Sequence, residues 1–124
     1  MMPKKSIDMY CLAISYKGKS TGYKLQVEDC PKSYKVIDDK GLDIRFIRKS
    51  ALNTVNQIDF RIFALDLENI KATVRNYYNP RLEHHKKRLR NQTEKTVIEY
   101  EKVIIKRIEQ LMKNCFTAID EMKE

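Results

Sequence analysis

The stretch AISYKGKST, residues 13–21, fits a relaxed form of the phosphate-binding loop: a small residue, four further residues and then Gly-Lys-Ser. Such a loop joins a buried strand to a helix, whose first N–H groups hold the phosphates. Here the next residues, GYKLQVE, alternate apolar and polar side chains, which predicts a strand and not a helix. We therefore predict that the stretch is the turn of a β-hairpin, which favours an antiparallel sheet over a nucleotide-binding α/β fold.

The residues on both sides of this turn carry the period-two pattern of half-buried strands. Tyr10, Leu12 and Ile14 would share one face of the first strand, and Leu42, Ile44 and Phe46 would share the inner face of a later one. The predicted strands lie near residues 10–16, 23–27, 34–37, 42–46 and 58–64. The turn at Asp38–Gly41 contains a glycine that can adopt a positive φ.

Beyond Asp66 the apolar spacing becomes helical. Asp66 can cap a helix whose apolar positions include Ile70 and Val74, and Asn79-Pro80 is predicted to end it because the residue before a proline avoids the helical region. From there to Lys123 the sequence contains no Gly or Pro. Its apolar positions follow helical spacing, and from Ile104 onward they form a heptad seam.

The region after Pro80 allows two arrangements. One unbroken helix of about 44 residues would be roughly 66 Å long, would project from a domain of this size and would favour a dimer. Alternatively, Asn91-Gln92-Thr93-Glu94 resembles a capping box, with Asn91 as the cap of a second helix, which would give a helical hairpin. The apolar face of this segment is expected to pack on the sheet, on a partner chain, or on both. In a homodimer, the residues of the seam predicted to form the interface are Ile104, Ile108, Leu111, Cys115 and Met122.

These patterns together predict an α+β fold. An antiparallel sheet of four to five strands at residues 1–65 is followed by a short helix and a long amphipathic C-terminal helix at residues 66–124, all within one domain. With 124 residues, 42% hydrophobic and 34% charged, the chain can form one modest core.

Composition also bounds the compartment and the chemistry. The start of the chain does not resemble a signal peptide, and no apolar segment is long enough to cross a bilayer. Cys11, Cys30 and Cys115 are an odd number at wide spacing, which predicts reduced thiols and a cytoplasmic protein. His84 and His85 are adjacent and would point about 100° apart on a helix, so they cannot chelate one metal ion together. We expect no catalytic residues, no metal, no cofactor and no membrane contact.

Charge is concentrated in one segment. Residues 81–90 contain five Lys or Arg and one acidic residue, so they contribute half of the net charge of +8. This segment follows two tyrosines, and cations beside aromatic rings suit phosphate contact combined with base stacking. The residues predicted to bind nucleic acid are Tyr77, Tyr78, Arg81, Lys86, Lys87, Arg88 and Arg90. The simpler interpretation is a solvated helix that links the sheet to the C-terminal segment.

The sequence therefore predicts a non-enzymatic, dimeric accessory protein that binds DNA or RNA through residues 81–90. The alternative is a protein–protein adaptor or inhibitor, encoded by a phage or mobile element, whose C-terminal amphipathic helix docks on a larger host assembly or an acidic partner. Salt dependence distinguishes the two, because binding to phosphates weakens steeply with salt and an apolar helix contact does not.

Overall fold

A computed structural model describes residues 5–15 and 19–122, and its architecture is α+β, as predicted: a curled five-stranded antiparallel sheet is followed by two helices. The strands are β1 (Ser6–Ala13), β2 (Thr21–Asp29), β3 (Ser33–Asp38), β4 (Phe46–Arg48) and β5 (Arg61–Ala64). A single 3-10 turn at Lys49–Ala51 follows β4. The helices are α1 (Leu67–Arg90) and α2 (Lys95–Glu121).

The sheet order is β4-β3-β2-β1-β5, and every neighbouring pair is antiparallel. β1 and β2 pair from Ser6 opposite Glu28 to Ala13 opposite Thr21. β1 and β2 therefore form an antiparallel hairpin, and the phosphate-loop interpretation is excluded because a strand, and not a helix, begins at Thr21. The turn predicted at Lys17 and Gly18 lies outside the described residues.

The fourth strand is shorter than predicted, and one of the three residues assigned to its inner face is misplaced: Leu42 and Ile44 pack against the core, but Phe46 does not. Phe46 is 62% exposed, whereas Ile47 is 4% exposed and contributes to the core. Asp43 has a φ of 56°, which interrupts the extended backbone and shifts the alternation before β4 begins. The glycine predicted to have a positive φ, Gly41, has a φ of 86°.

The first helix continues through Pro80, which contradicts the predicted end at Asn79-Pro80. Pro80 lacks an N–H, so the carbonyl of Asn76 loses its usual helical donor. Tertiary packing explains why the helix continues: Tyr78 and Leu82 lie on both sides of the proline and are both buried, while Pro80 itself is exposed. The buried row of α1 therefore runs unbroken across the proline.

The helical region is a hairpin, not one projecting helix, because α1 ends at Arg90 and α2 begins at Lys95. The predicted capping box does not form. Asn91 is the C-cap of α1, where its N–H donates to the carbonyls of Lys87 and Arg88, and Glu94 is the N-cap of α2 without a side-chain capping bond. α2 folds back along α1.

Both faces of the sheet contribute buried side chains. Leu12, Ile62 and Ala64 belong to the larger core, where one face of the sheet packs against both helices. Cys11 and Phe63 are neighbours of these residues along the chain and belong to a second cluster, with residues of β2, β3 and β4. Successive side chains of β1 and β5 point to opposite faces of the sheet and so contribute to both cores. The helical hairpin packs on the face that carries Leu12, Ile62 and Ala64.

Candidate nucleic-acid interface

The basic segment, residues 81–90, forms the last part of α1. Its five cations are Arg81, Lys86, Lys87, Arg88 and Arg90. Helical spacing divides them: Arg81 and Arg88 lie on one side of α1, and Lys86 and Arg90 lie on another. All except Lys86, which is half-buried, are exposed. The segment therefore does not present its charge on one continuous face.

Tyr77 and Arg81 form a preassembled unit one helical turn apart. The guanidinium carbon of Arg81 lies 3.7 Å from the centre of the Tyr77 ring, within cation–π distance. The same guanidinium donates a hydrogen bond of 2.6 Å to the carbonyl of Tyr77. This contact holds the guanidinium in place.

Tyr78 does not join this surface. It is 5% exposed and lies in the larger core, with its ring edge-on to Tyr77 at a centroid distance of 4.9 Å. Its ring therefore offers little surface to a ligand. Of the two tyrosines predicted to stack with nucleic acid, only Tyr77 is placed to do so.

A pocket of about 290 Å³ opens beside the Tyr77–Arg81 unit, between α1, α2 and the loop before β5. We call it the interhelical pocket. It is lined by Phe60, Tyr77, Tyr78, Arg81, Ile104, Arg107, Ile108 and Leu111. Aromatic and aliphatic side chains form most of this wall, and a guanidinium comes from each helix.

The backbone of Phe60 is strained where it forms part of this pocket. Its φ is 52°, a left-handed conformation that is a clear outlier for a bulky side chain. Hydrogen bonds hold it there: the N–H of Phe60 donates to the carbonyl of Asn56, and its carbonyl accepts from Ile14, at 2.8 and 2.9 Å. Such strain costs about 1–3 kcal/mol and is concentrated at functional sites.

A buried carboxylate separates Arg88 from the other cations. Glu101 of α2 is fully buried, and its Oε2 lies 2.5 Å from Nδ1 of His85. Arg88 Nε lies 3.1 Å from Oε1 of Glu101, an ion pair that lacks hydrogen-bond geometry. We call these three residues the charge cluster. It joins the two helices, and it neutralises the cation that sequence spacing places beside Arg81.

The two arginines of the interhelical pocket keep their charge uncompensated. Within residues 5–15 and 19–122, neither Arg81 nor Arg107 forms an ion pair with a carboxylate. By contrast, Lys19 pairs with Glu121 and Lys24 pairs with Asp8 at the other end of the helices and in the sheet. No salt bridge among the described residues therefore neutralises either guanidinium, as is also true of exposed cations elsewhere, such as Lys35 and Arg75.

The seam predicted as an oligomer interface is used within the chain. Ile108 and Cys115 are 9% and 0% exposed and belong to the larger core. Ile104, Leu111 and Met122 are half-buried and pack against the same core. The break after α1 is the physical reason, because it folds α2 back so that its apolar stripe meets α1 and the sheet. A single chain therefore already covers these side chains.

Two residues of the pocket were missed by sequence reasoning. Arg107 is one of several cations along α2, and nothing in its spacing distinguishes it from the others. Phe60 lies in a stretch whose pattern fits both a strand and a helix. Only the return of α2 along α1, and the docking of β5 on β1, bring these side chains to Tyr77 and Arg81.

Other kinds of site find less support in the described part of the chain. A cavity of about 340 Å³ lies at the β3–β4 edge, but its lining mixes Lys35 and Arg45 with Asp39 and Asp43. No group of three or more His, Cys, Asp or Glu residues among those described is placed to hold a metal ion. Neither α1 nor α2 is apolar enough over a sufficient length to span a membrane.

Comparisons of the chain with protein-family models, with curated proteins and with solved structures gave no match.

Proposed function

We propose that this protein is a non-enzymatic nucleic-acid-binding protein. Its binding surface combines the interhelical pocket with the exposed cations at the end of α1. The observation that carries the proposal is the Tyr77–Arg81 unit, in which a fixed guanidinium and an aromatic ring lie beside Arg107, without a carboxylate to neutralise either cation. Phosphates and bases are the ligands that this combination of groups recognises.

The cations divide into two groups with different roles. Arg81 and Arg107 lie at the pocket and would fix the position of the nucleic acid. Lys87 and Arg90 are exposed beyond it and would contact phosphates further along the backbone. Four phosphate contacts on duplex DNA predict that affinity falls on the order of 100-fold between about 50 and 200 mM salt.

The test is fluorescence anisotropy with single- and double-stranded DNA and RNA at these two salt concentrations. The variant K86Q/K87Q/R90Q removes three charges from the basic segment, two of them proposed phosphate contacts, and should reduce the salt slope by about two. The matched control K5Q/K32Q/K35Q removes three exposed charges from the sheet and should bind like the wild type. Absence of binding at about 50 mM salt, or equal losses in both variants, would contradict the proposal.

An adaptor function is the second candidate, and one observation favours it. Tyr100 and Val103 on α2 are 60% and 65% exposed, although both are large and apolar in most of their surface. A protein partner that covers them would bind with little dependence on salt. If the variant Y100A/V103A binds nucleic acid with the same affinity as the wild type, this surface is not needed for that binding and is available to such a partner.

We also infer a cytoplasmic location. All three cysteines are free thiols, and Cys11 and Cys115 are buried without a disulfide. Reduced thiols are typical of the cytosol. The test is fractionation of the native host: recovery with membranes or outside the cell would contradict this location.

A further inference from the structure

We propose that the interhelical pocket holds one unpaired base of a single-stranded nucleic acid, with Arg81 and Arg107 contacting the phosphates on either side of it. This inference rests on the proposed nucleic-acid function and names its ligand class. It assigns the base-binding role to the pocket and not to the row of cations on α1.

The volume and the lining of the pocket suit the faces of a flat aromatic ring. Its volume of about 290 Å³ is close to the lower end of the roughly 300–1,000 Å³ that small-molecule sites occupy. Ile104 and Leu111 supply aliphatic walls, and Phe60 and Tyr77 supply aromatic ones. Aromatic rings and guanidinium planes are the groups on which proteins stack unpaired bases.

Among the residues that line the pocket, the polar side-chain groups are two guanidinium groups and the tyrosine hydroxyls. Arg81 is held against Tyr77 by stacking and by its hydrogen bond to the backbone, so its position is set before a ligand arrives. Arg107 belongs to the opposite helix. A strand that inserts a base between the helices would therefore meet a guanidinium from each side.

A duplex fits this surface less well. A helix that reads a groove of duplex DNA presents its contacts along one exposed side. α1 packs against α2 and the sheet instead, and its cations are divided between two sides. A base within a duplex also remains stacked and would have to leave its pair to enter the pocket, at a cost of a few kcal/mol. An unpaired base enters without that cost.

The closing experiment compares four ligands by anisotropy at about 50 mM salt: a mixed-sequence single-stranded DNA, the same sequence as RNA, the DNA duplex, and AMP as competitor. A 2-aminopurine at the centre of the single strand reports stacking through its fluorescence. R107Q tests the phosphate contact, and L111W fills the pocket from a half-buried position. R75Q is the matched control, because Arg75 is an exposed α1 arginine that lies over Phe116, outside the pocket.

We expect either single strand to bind more tightly than the duplex by about 5- to 150-fold, the range that corresponds to the ~1–3 kcal/mol from stacking one base. The 2-aminopurine fluorescence should change on binding. R107Q should weaken binding of the single strand, L111W should remove most of its preference over the duplex, and R75Q should leave both unchanged. Circular dichroism of each variant shows whether it is folded.

Three results would overturn the inference, and they are distinguishable. Equal affinity for strand and duplex, with the salt slope retained, would contradict the base pocket but leave the proposed function. Competition by AMP as effective as by the strand would assign the pocket to a free nucleotide. No binding of any nucleic acid would contradict both proposals. If L111W is unfolded, the comparison of R107Q with R75Q decides.

Discussion

Nδ1 of His85 lies 2.5 Å from Oε2 of Glu101, and Glu101 is the one charged side chain among the described residues that is fully buried. This contact joins α1 to α2 where the hairpin closes. The carboxylate has lost its hydration, so its stability depends on the partners that replace water. Arg88, which is 48% exposed, keeps access to solvent. The two sides of the charge cluster therefore respond differently to mutation.

We expect H85F to destabilise the protein by about 3 kcal/mol, because it leaves a buried carboxylate without its hydrogen-bond partner. E101Q should cost less than about 1.5 kcal/mol, because the remaining Arg88 is hydrated. The double variant H85F/E101Q should be more stable than H85F alone. Urea unfolding measures all three, and a double variant as unstable as the sum of the single changes would contradict this account.

Stability should decrease at alkaline pH because of buried thiols. Burial raises the pKa of Cys11 to about 12 and also raises the pKa of Cys115. In the unfolded chain a thiol ionises near pH 8.5. Between these values the unfolded state binds fewer protons than the folded state, so the free energy of unfolding falls as pH rises.

The variant C11A isolates this effect from other groups that titrate at high pH. The gap in unfolding free energy between the wild type and C11A should narrow by about 2 kcal/mol from pH 7 to pH 10, since one thiol contributes about 1.4 kcal/mol per pH unit above its unfolded pKa. Urea midpoints at several pH values measure the gap. A constant gap would show that Cys11 ionises equally in both states.

Gly22 of β2 faces the end of α2. A Cβ at this position would overlap Sδ of Met122. G22A should therefore destabilise the wild type by about 1 kcal/mol, a modest amount because the methionine side chain is flexible. In an M122A background the same change should be neutral or stabilising, because alanine loses less backbone freedom on folding than glycine. Equal costs in both backgrounds would contradict the packing of Met122 on Gly22.

One substitution in the turn at Asp39–Leu42, which follows β3, is expected to increase the stability of the protein. Lys40 and Gly41 have φ values of 52° and 86°, and the N–H of Leu42 donates to the carbonyl of Asp39. Positive φ at both central residues is the type I′ turn, which prefers Asn-Gly. K40N should stabilise the protein by about 0.5–1 kcal/mol. The free energy of unfolding should be measured in about 0.5 M NaCl, which screens the surface ion pair that Lys40 forms with Asp38. The control G41A should lower the free energy of unfolding.

The order of strands and helices could be predicted because it depends on local patterns. Alternation around residues 10–14 and 23–27 identified β1 and β2, and Asp66 as the cap of α1 is confirmed by its bond from the N–H of Asn69. Pro80 shows where a local signal fails. A proline within a helix costs about 3 kcal/mol, and burial of Tyr78 and Leu82 offsets it.

The candidate site could be predicted only in part, because it is assembled from distant parts of the chain. Tyr77 and Arg81 are one turn apart, so their proximity follows from helical spacing. Arg107 and Phe60 join them only through the path of the whole chain. The burial of Tyr78 could not be predicted for the same reason, since the choice of buried face on α1 depends on what packs against it.

The position of β5 has a consequence for the order of folding. Each of β1 to β4 pairs with a strand that is next to it in the sequence, and α1 likewise packs against α2. β5 instead pairs with β1, where Ala13 lies opposite Arg61, and three strands separate the two in the sequence. Closing that loop loses more chain entropy than any hairpin. We therefore expect I62A, in β5, chiefly to accelerate unfolding and L25A, in β2, chiefly to slow folding. Stopped-flow chevrons of both variants measure this, and the reverse pattern would place β5 in the folding nucleus.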